Sequence, residues 1–221
     1  MPIRKIKFAT GEFYHIYNRG NGKQEIFHDK NDYQRFVDLL FAMNRKENFD
    51  FSNFIKNISI YELNNNNPLV AIGAYTPMPN HFHILLTPLI ENGVVMFMQK
   101  ISTAYSMYYN RKYKRTGGLF EGRFKARHVD NDRYLKYVFS YIHLNIQKIE
   151  KDLFNYSYSS FLDYAGEIRH QNKILNKKMF PEYFSKKETF LYEIKQWILY
   201  RQAGGPATYK KWRPDLLLRG K

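Results

Sequence analysis

The chain contains no cysteine among its 221 residues. Disulfide frameworks, thiolate nucleophiles and cysteine-held zinc or iron–sulfur centres are therefore excluded, and any metal must be held by His, Asn, Gln, Asp or Glu. Acidic residues are scarce, 20 against 35 Lys and Arg, which leaves a formal net charge of +15. An excess of that size speaks to partners and not to fold. Nucleic acid is the first polyanion it suits, and an acidic membrane surface the second. No apolar run approaches the roughly 18–20 residues that span a bilayer. Met1-Pro2-Ile3-Arg4-Lys5 lacks the apolar stretch of a signal peptide. The expected setting is a soluble protein inside the cell, off the membrane.

What is present is aromatic and apolar. Hydrophobic residues make up 44%, enough for one good-sized core and a small appendage, and the aromatics include 19 Tyr and 18 Phe. Tyrosine serves both cores and clefts, and aromatics interleaved with cations suit single-stranded nucleic acid, whose bases stack on them. Phe13 to Tyr17 reads as a strand ended by Asn18-Arg19-Gly20-Asn21-Gly22. Tyr33, Phe36, Val37, Leu40 and Phe41 recur at helical spacing over 30–47, behind a cap at Asp29 or Asn31. Strands are expected at 55–63, 69–75 and 81–87, with a polar hairpin loop at 64–68. Helices are expected at 93–114, 132–147 and 187–201, the first stopped by Gly117-Gly118. The order strand, helix, three strands and helix predicts an α+β fold with an antiparallel sheet and helices on one face.

Several groups of residues have the spacing for chemistry. His81-Phe82-His83 lies on a predicted strand, where alternate side chains share a face. The two imidazoles then stand about 7 Å apart on one side and can reach one metal ion, while Phe82 enters the opposite layer. A pair of hydrogen-bonded sheet histidines is the plainer reading. Tyr141 and Asn145 are four apart on a predicted helix and project together, or else pack in the core and mark the helix end. His143 falls on the other side. Between Arg111 and Arg127 lie Arg111, Lys112, Lys114, Arg115, Arg123, Lys125 and Arg127, against Glu121 alone. With Tyr113, Phe120 and Phe124 among them, these cations suit phosphates and bases, or a solvated face. Arg19-Gly20 after the first strand offers a phosphate contact or an ordinary turn. His15 fits a metal-supporting, base-contacting or core role. A basic tail carries Lys210, Lys211, Arg213, Arg219 and Lys221.

In these blocks the chain resembles the HUH single-tyrosine transposases, and among them the REP-associated tyrosine transposases. The resemblance rests on Tyr14-His15-Ile16 with Arg19-Gly20, on Met78-Pro79-Asn80-His81-Phe82-His83-Ile84-Leu85, and on Gly118-Leu119-Phe120-Glu121-Gly122-Arg123-Phe124-Lys125. It continues in Tyr141-Ile142-His143-Leu144-Asn145 and Tyr158-Ser159-Ser160, in the family's order, over about residues 8–165. It implies a ferredoxin-like catalytic domain over 1–165; residues 166–221 match none of its blocks and are expected to form a helical extension and basic tail. It implies a Mg²⁺ or Mn²⁺ ion on His81, His83 and Asn145, with Tyr141 the catalytic nucleophile beside the two histidines. The implied substrate is single-stranded DNA carrying a hairpin. It is nicked and rejoined through a 5′-phosphotyrosine, with Arg19 and the cations from Arg111 to Arg127 holding the DNA. A monomer and a homodimer both fit, and a cytoplasmic, nucleoid-associated location is expected. An alternative is a non-catalytic hairpin-binding descendant of the same fold, and a third is a metal hydrolase that uses water. Ile146-Gln147 follow Asn145 where the family has proline, so the helix is expected to run on past Asn145.

Overall fold

The computed structural model describes residues 6–51 and 59–202. Four strands, β1 (Phe13–Arg19), β2 (Val70–Met78), β3 (His81–Pro88) and β4 (Lys125–Val129), form one sheet in the order β2-β3-β1-β4. Every pairing is antiparallel. β2 and β3 are joined by a two-residue turn, Pro79-Asn80, which positions the histidine pair at once. That turn is anchored from outside. The Pro79 carbonyl accepts from the N–H groups of Ile26 (2.8 Å) and Phe27 (3.0 Å), and the Asn80 carbonyl from Gly20 (2.9 Å). The loop after β1 therefore holds the tip of the hairpin. A Cβ on Gly20 would collide with the Gln24 carbonyl, so the close approach requires glycine.

Strand alternation divides the sheet into two faces. Ile16, Phe82, Ile84 and Leu86 pack with α1 (Lys30–Ala42) and α2 (Gly93–Lys112), through Phe36, Phe97, Ile101 and Tyr105. The opposite face meets α3 (Asp132–Leu144) and, beyond the short α4 (Phe161–Tyr164), α5 (Lys187–Gln202). The α+β antiparallel sheet is as expected. Helices on one face alone are not: α1 and α2 cover one face, and α3 with the chain that follows roofs the histidine face, because the β4–α3 connection carries the chain across the sheet edge.

The boundaries differ from the periodicity in instructive places. α1 starts at its predicted cap, where Asp29 accepts from the N–H groups of Asn31 (2.9 Å) and Asp32 (3.1 Å). It stops at Ala42, short of 47, because Asn44 turns to the start of β2. The Asn44 amide donates to the Val70 carbonyl (2.8 Å) and accepts from Leu69 and Val70 N–H (3.0 Å each). The strand expected over 55–63 is corrected within the described part: Ile60–Glu62 is a 3₁₀ turn, tied down by the Tyr61 hydroxyl on Asp38 (2.9 Å). Residues 52–58 of that expectation lie outside the described residues. α3 does not run on as an α-helix past Asn145 but tightens into a 3₁₀ turn over Asn145–Lys148. Of the C-terminal extension, residues 166–202 are described. Leu175 bridges in parallel to Ile72, and the Phe180 ring lies so close over Gly73 that a Cβ there would come within 2.5 Å of it. The basic tail lies outside the described residues.

Candidate active site

Register on the site face follows from the pairings, because directly opposed residues project the same way. His81 is opposed by Arg19 on β1 and Met78 on β2, and His83 by Tyr17 and Thr76. Leu85 opposes His15, and on the far side of β1, His15 opposes Arg127 and Tyr17 opposes Lys125. Both histidines, His15, Arg19, Lys125 and Arg127 thus share one face. The two predicted imidazoles do come together, with ring centroids 5.0 Å apart and planes at 82°. Phe82 points into the opposite layer, against Phe36 at 4.8 Å.

Hydrogen bonds steer both rings. Asn80 donates from Nδ2 to the Lys23 carbonyl (3.1 Å), so its Oδ1 is the atom that meets His81 Nδ1 at 2.6 Å. An amide oxygen only accepts, so His81 Nδ1 carries the proton and Nε2 keeps its lone pair. His83 is fully buried, and its Nδ1 lies 2.9 Å from His15 Nε2. Burial holds the His83 imidazole well below its ordinary pKa, helped by His81, His15 and Lys148. Burial, with Arg127 nearby, pushes His15 down to about 3. Burial thus holds His15 and His83 in the neutral form, the form that binds metals.

α3 brings the other residues over this face. Asn131 caps it, accepting from Tyr134 N–H at 2.8 Å. The Tyr141 ring lies 5.3 Å from the His83 ring and 6.1 Å from that of His15, edge-on to both. Its exposure is 4%. Tyr137 stacks on it at 5.9 Å and Tyr134 on Tyr137 at 6.3 Å, a ladder along one helix edge. Asn145, one turn on, is fully buried, and both atoms of its amide lack a hydrogen-bond partner among the described residues. Lys148 extends the same line, its Nζ 5.9 Å from the Tyr141 ring centroid. His143 is separate, as expected from its position: Nδ1 donates to the Phe139 carbonyl (2.9 Å) and Nε2 accepts from Ser160 (2.8 Å).

These residues fit a divalent ion. Two imidazoles offer ring nitrogens, with His83 Nε2 buried and without a hydrogen-bond partner among the described residues, and Asn145 offers an unpartnered amide oxygen. Among the described residues no group of three or more His, Asp or Glu could hold a metal, and Asn145 is the unpartnered amide on the helix over this face.

The expected DNA cations separate into distinct environments. Lys125 and Arg127 stand on edge strand β4, facing the site. Arg111, Lys114 and Arg123 are exposed, and Arg115 sits over the Tyr109 ring at 5.5 Å. Two are already engaged by acids. Arg19 is ion-paired with Glu121, and Lys112 with Asp29 (2.7 Å) and the buried Asp32 (2.6 Å). Sequence reasoning left His15 undecided and missed Tyr17 and Lys148. The alternation of His15 with Tyr17, and the seven-residue step from Tyr141 to Lys148, were the available signals.

Residues 13–145 match the family described as "Transposase IS200 like". The span begins at the first residue of β1, closes on Asn145 and covers more than half of the chain. The chain belongs to the IS200-like transposase family. Among solved structures, a REP-associated tyrosine transposase bound to a REP hairpin matches this IS200-like transposase with a TM-score of 0.52. The match has 13% identity and covers 82% of this chain and 89% of that one. At that identity the likeness bears on the fold, and it extends the shared fold beyond Asn145. Comparison with curated proteins gives no match. No helix among the described residues of the transposase is long and apolar enough to cross a membrane.

Proposed function

We propose that this transposase nicks and rejoins single-stranded DNA through a covalent bond to Tyr141. The observation that carries the reading is the edge-on contact of the Tyr141 ring with His83, 5.3 Å between centroids, inside a cluster of neutral imidazoles and an unpartnered amide. His81, His83 and Asn145 would hold Mg²⁺ or Mn²⁺, which when bound polarises the scissile phosphate and offsets its charge. Tyr141 Oη attacks phosphorus and gives up its proton. The bond to the 3′ oxygen breaks, and that oxygen takes up a proton. The DNA is left with a free 3′-hydroxyl and the protein with a 5′-phosphotyrosine. Attack by a 3′-hydroxyl reverses the step, and because one phosphodiester replaces another, no nucleotide hydrolysis is needed.

A phenol titrates near pH 10, so the surroundings must favour its anion. Arg127 bears on this face, where its charge acts against the burial that raises the Tyr17 and Tyr134 phenols. Lys148 adds a cation beside Tyr141 itself. Lys125 and Arg127 would carry the strand's phosphates along the open sheet edge, while Arg111, Lys114, Arg115 and Arg123 would meet the hairpin. The solved relative is one bound to a REP hairpin, which supports a hairpin as the DNA partner.

The reading is tested by incubating the protein with hairpin-tailed single-stranded DNA and Mg²⁺ or Mn²⁺, then resolving adducts on a denaturing gel. A covalent adduct is expected that disappears with chelator and in Tyr141→Phe, while that variant keeps hairpin affinity within about threefold. An undiminished adduct in Tyr141→Phe would move the nucleophile to another tyrosine. The rival reading, a non-catalytic hairpin-binding protein, draws support from the burial of Tyr141, 4% exposed. Hairpin binding without any adduct would establish it.

A further inference from the structure

The site face carries a third imidazole, that of His15, which the strand-transfer scheme leaves unused. His15 lies diagonally across the β1–β3 ladder from His83, since His83 is opposed by Tyr17 and His15 by Leu85. The two rings stack at 5.0 Å with planes at 30°, and His15 Nε2 sits 2.9 Å from His83 Nδ1. Both residues are fully buried, so water does not compete for this bond. Between two neutral imidazoles one nitrogen donates and the other accepts. If His83 accepts at Nδ1, its Nε2 is protonated and useless as a ligand. If His83 donates from Nδ1, its Nε2 presents a lone pair. That Nε2 has no hydrogen-bond partner among the described residues, and neither has His15 Nδ1, which carries the His15 proton in this arrangement.

We infer that His15 is a positioning residue of the metal site: its Nε2 accepts the His83 Nδ1 proton, fixes the ring's rotation and turns the His83 Nε2 lone pair toward the divalent ion. The inference rests on the proposed use of a metal here. His81 is served in the same way by the Asn80 amide oxygen, at 2.6 Å. Both ligand imidazoles therefore lean on uncharged acceptors, where metal-bound histidines often use a carboxylate. With uncharged acceptors behind both rings, a bound ion would keep its charge for the scissile phosphate.

The test uses the full chain with His15→Phe, which keeps a flat ring but no acceptor, and His15→Gln, which restores one. Mn²⁺ binding is measured without DNA by titration calorimetry. Ring-nitrogen NMR of the Mg²⁺-saturated wild type reports which His83 nitrogen carries hydrogen. His15→Phe is expected to weaken Mn²⁺ binding about 10–100-fold, with most of the loss recovered in His15→Gln. The NMR spectrum is expected to show the proton on His83 Nδ1. Equal Mn²⁺ affinity in wild type and His15→Phe overturns the role of His15 and leaves the metal reading standing, whereas a proton on His83 Nε2 overturns that role and removes His83 from the ligands as well. Failure of the wild type to bind Mn²⁺ at all overturns both. Should His15→Phe not fold, the wild-type spectrum still decides.

Discussion

Asn145 is the residue at which stability and the proposed chemistry conflict. Its amide is fully buried, and neither amide atom has a hydrogen-bond partner among the described residues. Leaving such a group unpaired costs on the order of 1–3 kcal/mol. A residue kept for the fold alone would not be an amide. Asn145→Leu is therefore expected to leave stability unchanged or to raise it by about 1 kcal/mol in chemical denaturation. The same change should weaken Mn²⁺ binding by about tenfold or more in calorimetry. A loss of stability with unchanged Mn²⁺ affinity would make Asn145 a core residue and nothing else. The pairing of Tyr141 with Asn145 was visible as a four-residue step on one helix, but that step has the same appearance in any helix core. Only the His83 ring against Tyr141 sets it apart.

At the scale of elements, the start of α1 and the end of α2 are joined by one buried carboxylate. Asp32 accepts from Lys112 (2.6 Å), Tyr113 (2.7 Å), Tyr108 (3.0 Å) and the His28 N–H (2.9 Å). Burial pushes the Asp32 carboxyl up, but Lys112, Tyr113, His28 and Tyr108 outweigh it and hold the group below its ordinary value. A folded pKa below the unfolded one means stability that is complete above pH 4 or so and is lost as the pH falls through the folded value. Lys112→Met leaves this carboxylate buried without its cation and should cost about 3 kcal/mol at pH 7. It should also flatten the acid limb of a denaturation series run from pH 6 to pH 3. Hairpin affinity should change by less than about threefold, since Asp29 and Asp32 already neutralise this lysine. Lys112 stood in a basic run, and the sequence held no sign that two acids 80 and 83 residues earlier would face it. The same limit applies to α1. Its periodicity was legible, but its end at Ala42 is set by Asn44 reaching the edge of β2, a partner far along the chain.

For the whole molecule, a net charge of +15 predicts hairpin binding that weakens steeply with salt. The structure sorts the contributors. Lys125→Gln and Arg127→Gln, on the sheet edge that faces the site, should each lower the slope of log K against log salt by about 1. They should also slow adduct formation, whereas Arg111→Gln and Arg123→Gln should lower the slope without slowing the chemical step at saturating DNA. Equal effects of all four on adduct formation would mean that the positive surface acts as an undivided field.

Composition and spacing by themselves determined the class of this protein: a basic α+β chain with no thiol chemistry, a strand that places two histidines on one face, and a helix that pairs a phenol with an amide. Those properties are local, since alternation along a strand and the helical repeat need no knowledge of the rest of the chain. Only the tertiary structure decided which faces meet. It set His15 against His83, put Tyr141 over both, turned Lys125 and Arg127 toward the site, and committed Arg19 and Lys112 to acids. Register between distant strands and the docking of a helix on a sheet arise from contacts between residues far apart in the chain, and no local period encodes them.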